Sequence, residues 1–398
     1  LRLVGARSLN IRPGRVSREY TFISGEWVEV TEQSDLTHLL AHPITLEVDP
    51  PLSVERWVRS TGKRRGKFFP NSEERTGVAL GPQGTVCSLS PALASACVVR
   101  GFASSLPLAE YLSQHPTARV VITRGGGLGD LLLLTPALAV LREAYPQAHL
   151  TLATIPEHVR ILRETGLVDE CVGYFEAFAS APYDFHCDLN WYVENHAEQD
   201  RHRVDLFGEA LGVTCTSHRL FAGVRDDERR SMAEKLGEVP LPLVGLQYAN
   251  PSAYRLPSTE KLWQVGEALR EAGLSVVPFS ANSMEVSEPH LCGKLAIGEL
   301  FAFIESCSAV VVGDSGPLHV ASAVDTPAVG LFGMVEPATR VTSPLCVPLV
   351  SSCVCSPCRG RRTPQCRTPV PCLEQIPNEL IVQSVLEAIR VPSHNEGL

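Results

Sequence analysis

The sequence predicts an α/β protein made of two successive parallel-sheet halves behind a small mixed α/β leader. Three observations carry this. From residue 118 onward, short near-continuous apolar runs alternate with longer segments whose apolar residues recur every three or four positions. The runs lack in/out alternation, as expected of strands covered on both faces by helices. The rhythm pauses near residue 225 and restarts, and 398 residues exceed one ordinary domain.

Residues 1–117 form the leader. REYTFISGEWVEV alternates apolar and polar around Gly25, which predicts a hairpin with Ile23 to Glu26 at the turn. SDLTHLLAHP predicts a short helix, capped by Ser34 or Asp35 and stopped by Pro43. ITLEVD reads as a further strand. A basic cluster follows, comprising Arg56, Arg59, Lys63, Arg64, Arg65 and Lys67. It reads as a solvated loop, because blocks of like charge stay in water.

Residues 118–224 form the first Rossmann-like half. ARVVIT is a buried strand, RGGGLGD a glycine turn, and the next helix carries Leu134, Leu138, Leu141 and Tyr145 on one stripe. Pro136 falls early in that helix, so either Thr135 is its N-cap or the helix kinks there. HLTLAT, EHVRILRETG, YDFHCDLNWYV and DRHRVDLFGEALGV then read as strand, helix, strand and helix, with Gly166 and Gly212 as stops.

Residues 225–398 form the second half. After the charged helix DDERRSMAEKLG come the strands LPLVGLQY, LSVVPFS, AVVVGD and AVGLFG. The helices between and after them are TEKLWQVGEALREAG, capped by Ser258, then GELFAFIESC, LHVASAVD and NELIVQSVLEAIRV. Ligands of such sheets bind beyond the carboxyl ends of the strands.

Composition excludes several classes. The apolar share is 44% and the charged share 20%, those of a globular chain with a large core. A net charge of -9 argues against a general nucleic-acid binder. No apolar run approaches the length of a membrane span, and LRLVGARSLNIRPGR holds no apolar signal core. The 13 Cys are odd in number and seven are scattered singly through apolar segments, which suggests reduced, intracellular usage.

Two turns carry the chemistry. In RGGGLGD, glycines let the backbone approach a ligand beside a helix N-terminus that favours an anion. No G-x-G-x-x-G runs through Gly125, Gly127 or Gly129, and HLTLAT ends without a ribose-binding acid, so nicotinamide and flavin are disfavoured. Asp130 is a candidate general base, although its local pattern also suits an N-cap. In VVVGDSGPLHVASAVDTPAVGLFG, Asp314, Ser315 and Gly316 turn the chain into a helix with His319 as its second residue. Small residues, oriented N–H groups and a His make a phosphate cradle, while simple capping and a structural His remain open.

These segments resemble glycosyltransferase family 9, the lipopolysaccharide heptosyltransferases. GLGDLLLLTPALAVLREAYPQAHLTL is similar to the family's amino-terminal signature and VVVGDSGPLHVASAVDTPAVGLFG to its carboxy-terminal one. YDFHCDLN and RHRVDLFGEALGV match the intervening strand and helix, and the resemblance covers residues 118–391. It implies a GT-B fold, two facing Rossmann-like domains with the acceptor held by the first and a nucleotide-sugar donor by the second. It also implies inverting transfer, usually from ADP-heptose, to a glycan, glycolipid or protein acceptor. The resemblance makes Asp130 the catalytic aspartate. It places Gly129, Asp314, Ser315, Gly316 and His319 at the donor, with Arg255 replacing the usual phosphate-binding Lys. Asn250, Ser252 and the nucleoside-side Glu285 complete the donor set. No cofactor is needed for this chemistry. The expected location is the cytoplasm, with room for peripheral contact at the inner face of the membrane. A non-catalytic GT-B-like scaffold and a transferase or epimerase using another nucleotide sugar remain as alternatives.

The segment 353–372, CVCSPCRGRRTPQCRTPVPC, holds Cys353, Cys355, Cys358, Cys366 and Cys372. It is Pro-rich and short of apolar residues. Thiolates at Cys355, Cys358, Cys366 and Cys372 would supply order by binding a structural zinc, with iron as runner-up. Reduced thiols in an exposed loop, or one disulfide, are the plainer reading.

Overall fold

The computed structural model describes residues 106–173, 183–189, 193, 200–250, 254–284, 289–358 and 371–390, and the backbone of short strands between residues 2 and 105. In the leader, Tyr20–Ile23 pairs antiparallel with Ser8–Ile11, upstream of the expected partner. The segment after Gly25 and the expected helix at 34–43 lie outside the described residues. Leu46–Glu47 pairs with Arg2–Leu3. The basic stretch is not simply a loop. Arg56–Ser60 is the central strand of a three-stranded sheet, between Val86–Leu89 and Ala103–Ser105. Trp57 and Val58 favour strand, a propensity outweighed in the sequence reading by the charge around them. This strand runs alongside Phe185–Asp188, the edge of the next sheet.

Helix α1 (Leu108–Gln114), ahead of the expected boundary at 118, packs into the core of the first half, whose first strand is β1 (Arg119–Thr123). Helix α2 (Leu128–Ala144), β2 (His149–Thr154), α3 (Val159–Arg163), β3 (Glu170–Gly173), β4 (Phe185–Asp188) and α4 (Arg203–Leu211) follow. The strands form one parallel sheet in the order β3-β2-β1-β4. Helix α2 starts at Gly127, not Thr135, and runs through Pro136. Proline removes the N–H that would bond the Leu132 carbonyl, and the Thr135 hydroxyl donates to that carbonyl at 2.6 Å instead. Leu131 to Leu134 are all at most 2% exposed. Four successive buried leucines mean that α2 is covered on every side. Each contributes about 2 kcal/mol of hydrophobic stabilisation. Helix α4 ends where Gly212 takes φ +79°, as its sequence promised.

The second half holds α5 (Asp226–Leu236), β5 (Leu243–Gln247), α6 (Thr259–Glu271), β6 (Ser275–Phe279), α7 (Ile297–Ser306), β7 (Ala309–Gly313), α8 (Gly316–Ala323), β8 (Ala328–Phe332), β9 (Cys346–Val350), α9 (Pro371–Glu374) and α10 (Asn378–Arg390). Its parallel sheet has the order β6-β5-β7-β8-β9. The Ser258 hydroxyl caps α6 by accepting from the Lys261 N–H at 3.2 Å. Strand β9 was not expected. It is an edge strand whose half-buried CVPLV pattern, with Pro348 inside, reads as loop. No helix among the described residues is long and apolar enough to cross a membrane.

The halves meet along the starts of α2 and α8. A Cβ on Gly316 would lie 3.2 Å from the Leu128 side chain, and one on Gly129 would lie 2.5 Å from His319 Cδ2. A second contact joins α3 to α5, where Arg160 ion-pairs with the buried Glu228 and donates to the Gly223 carbonyl at 2.8 Å.

Candidate functional site

Both glycine turns open at the carboxyl ends of their sheets, so the two helix starts face each other across one cleft of about 670 Å³. That is the size of a small-molecule site. From the first half it takes Gly129, Asp130, His158 and Arg203. From the second it takes Asn250, Arg255, Asp314, Ser315, Gly316, His319 and Arg340. Most of the expected donor residues thus line one space with Asp130. Ser252 and Glu285 lie outside the described residues.

Asp130 is the third residue of α2, so it is not an N-cap; its N–H donates to the Gly127 carbonyl at 3.0 Å. Its Oδ1 receives Arg203 Nε at 3.1 Å and Nη2 at 3.0 Å, and Arg124 Nη2 lies 3.2 Å away. Arg124 is only 2% exposed and its guanidinium sits 5.4 Å over the Phe207 ring. Burial alone would raise the Asp130 pKa. Arg203, Arg124 and Arg340, with His319, outweigh it and hold the carboxyl well below the usual range. Asp130 is therefore an anion at every working pH, with its Oδ2 edge beside Gly126.

On the opposite wall, β7 ends at Gly313 and the chain turns through Asp314 and Ser315 into α8. Gly313 is needed here, because a Cβ would fall 2.0 Å from the Arg255 carbonyl oxygen. That approach lets Arg255 Nη1 reach Asp314 Oδ2 at 3.1 Å and donate to the Asp314 carbonyl as well. Gln247, at the end of β5, ties the turn down. Its Oε1 accepts from the Gly313 N–H and the Ser315 hydroxyl, both at 3.2 Å. Ser315 makes no side-chain cap bond to α8, so capping does not explain it. His319 is the fourth residue of α8 rather than the second, because the helix starts two residues earlier than expected. It is 4% exposed, and its Nδ1 is buried with no hydrogen-bond partner. Burial lowers its pKa to about 4, so the ring is neutral at pH 7.

Arg124, Arg203 and Arg340 escaped the sequence reading. Arg124 had a visible signal, a charge closing an otherwise apolar strand. Arg203 looked like an ordinary helix charge and Arg340 like a loop charge.

Residues 204–367 match the model of glycosyltransferase family 9 (heptosyltransferase). The match takes in less than half of the chain, and over that part the chain is similar to this family. A stretch of 81 residues is 37% identical to lipooligosaccharide heptosyltransferase 2 of Haemophilus influenzae, spanning 20% of this chain and 21% of that relative. Solved structures extend the likeness to the whole family 9 fold. The family 9 glycosyltransferase of Veillonella parvula is 20% identical with a TM-score of 0.54, covering 68% of this chain and 97% of its own. ADP-heptose lps heptosyltransferase II of E. coli is 15% identical with a TM-score of 0.53, covering 68% and 98%. The iron-containing dodecameric glycosyltransferase TibC of enterotoxigenic E. coli is 15% identical with a TM-score of 0.56, covering 84% and 91%. At these identities the structures establish the fold: two parallel-sheet α/β domains of the GT-B kind.

Two clusters outside the cleft bear on metals. His202, Asp205 and His218 bring their ligand atoms within 4.8 Å of one another. His202, however, uses both ring nitrogens: Nδ1 accepts from the Val204 N–H at 3.2 Å and Nε2 donates to the Val341 carbonyl at 3.2 Å. With no lone pair left on that ring, this group does not suit an ion. It is a contact between the halves. The cysteine segment is different. Cys353 Sγ lies 3.4 Å from Cys355 Sγ. Burial, and then the neighbouring Cys355, Cys353 and Cys358, raise the Cys372 thiol to about 11. Cys372 thus feels three other thiols electrostatically, yet among the described residues no three of Cys353, Cys355, Cys358 and Cys372 bring their sulfurs within 4.8 Å of one another. Cys366 lies outside the described residues.

Proposed function

We propose that the chain is an inverting glycosyltransferase that moves a sugar, heptose being favoured, from a nucleoside-diphosphate donor to an acceptor hydroxyl. The observation that carries this reading is the single cleft in which the Asp130 carboxylate faces the start of α8, with His319 and Arg255 beside it. Asp130 Oδ2 accepts the acceptor O–H and takes its proton as the hydroxyl oxygen bonds to the anomeric carbon. The bond from that carbon to the diphosphate breaks on the opposite side, and its electron pair leaves with the phosphate oxygen. The low basicity of Asp130 means that the proton moves late, once the attacking oxygen has become acidic. The start of α8, His319 and Arg255 stabilise the charge gathering on the leaving group, while Gly129, Asn250, Ser252, Asp314, Ser315 and Gly316 shape the donor pocket. Glu285 is assigned to the nucleoside. ADP-heptose is the favoured donor because E. coli heptosyltransferase II is named for it. A glycan, glycolipid or protein supplies the hydroxyl. A lipid-borne acceptor would bring the cytoplasmic chain to the inner face of the membrane.

Calorimetric titration with ADP, UDP and GDP tests the reading. Selective ADP binding is expected. A preference for UDP or GDP would keep the transfer chemistry and change the donor. Failure of all three would point to a non-catalytic scaffold.

The cysteine segment is assigned a structural zinc or iron held by Cys355, Cys358 and Cys372, with Cys353 or Cys366 as the fourth thiolate. The metal would order a stretch that lacks a core of its own. Metal analysis of protein purified without chelator should find about one ion per chain. A Cys355→Ser, Cys358→Ser variant should lose it, and a metal-free wild type would refute the assignment.

A further inference from the structure

The charges that face the cleft do not balance. Among the described residues, its lining holds the guanidiniums of Arg203, Arg255 and Arg340 and the carboxylates of Asp130 and Asp314. The pairing between them is uneven. Arg203, with Arg124 behind it, is bonded to Asp130. Arg255 is bonded to Asp314. Arg340 lies on the loop after β8, and its Nη1 donates to the Thr339 carbonyl at 3.0 Å and hydroxyl at 3.1 Å, both neutral.

Arg340 nevertheless sits amid the site. It acts electrostatically on Asp130, His319 and Arg203 and is itself acted on by Asp314 and Arg255. Arg203 comes from the first half and repels it across the cleft. Holding a half-buried, unmatched guanidinium against a like charge is costly, and arginine cannot shed its proton to escape. Such an arrangement is suited to a ligand that brings negative charge. A second group nearby is also left waiting: the buried Nδ1 of His319, which has no partner.

We infer that Arg340 supplies the cleft's uncompensated positive charge and is a principal binding residue for the donor diphosphate. Arg255, partly balanced by Asp314, adds to this charge at the same site. A diphosphate between Arg340 and His319 would satisfy both, and would also screen Arg340 from Arg203, holding the two halves together. The planar guanidinium can take two phosphate oxygens at once. This inference rests on the proposed reading of the cleft as a nucleoside-diphosphate site.

The test is calorimetric binding of ADP and of inorganic pyrophosphate to the full chain and to Arg340→Gln and Arg340→Lys variants, with thermal melts as a folding control. Arg340→Gln should weaken both ligands by roughly 30-fold or more, with Arg340→Lys recovering a substantial part. Wild type that binds ADP, with Arg340→Gln within threefold of it, would overturn the inference and leave the proposed function standing. Equal losses in the Gln and Lys variants would also overturn it, since a charge role must respond to charge. Wild type that binds neither ligand would sink both readings together.

Discussion

Asp130→Asn is expected to lower kcat by roughly a thousandfold, the range of a lost general base. The same change should leave ADP binding intact or tighter. It removes a negative charge from a cleft proposed to hold an anion, so its electrostatic effect on the donor has the opposite sign to its effect on chemistry. Stability should fall as well. Arg124 is 2% exposed and keeps its charge when its carboxylate partner is gone. Breaking a buried pair costs on the order of 3 kcal/mol, so the melting temperature should drop while the fold persists. Initial rates, ADP titration and thermal melts on one preparation separate these effects. A variant that turns over within tenfold of wild type would remove Asp130 from the chemistry and leave it as a structural anchor for two arginines.

Gly129→Ala should be nearly as damaging, for a steric reason. The added methyl would lie 2.5 Å from His319 Cδ2, closer than real carbon contacts allow. His319 is 4% exposed and has nowhere to turn. Relief must come from separating the starts of α2 and α8, the two edges that hold Asp130 and the proposed phosphate cradle. A misplacement of about 1 Å between reacting groups costs on the order of 100-fold in rate. The control is Gly127→Ala, two residues earlier. A Cβ there meets nothing within 4 Å and φ is -76°, so activity should stay within about twofold. Equal activity in the two variants would mean that the halves part freely and that their close approach has no catalytic role.

The contrast between these two glycines marks how far the sequence could be read. Both stand in RGGGLGD, and both look like turn glycines. Only the structure shows that Gly129 is small because His319 arrives from 190 positions away. Asp130 is similar. Its local pattern suited a helix cap, and what surrounds it instead is a pair of arginines, one six residues upstream and one 73 residues downstream. Arg56–Ser60 and β9 were missed because short, charged or proline-containing strands carry little periodic signal, and pairing partners decide them.

The sequence by itself determined the two parallel sheets, their helices and the two glycine turns. Those features follow from periodicity and backbone chemistry within a few residues, and apolar runs buried on both faces leave few alternatives. It also pointed to Asp130, Arg255 and the 314–319 turn. The tertiary structure alone decided which charges face each other: Arg124 and Arg203 on Asp130, Arg255 on Asp314, and Arg340 bonded to no carboxylate among the described residues. Electrostatic partnership depends on distances across a cleft between two sheets. No local pattern encodes those distances, because they arise only when Leu128 and Gly129 close on Gly316 and His319.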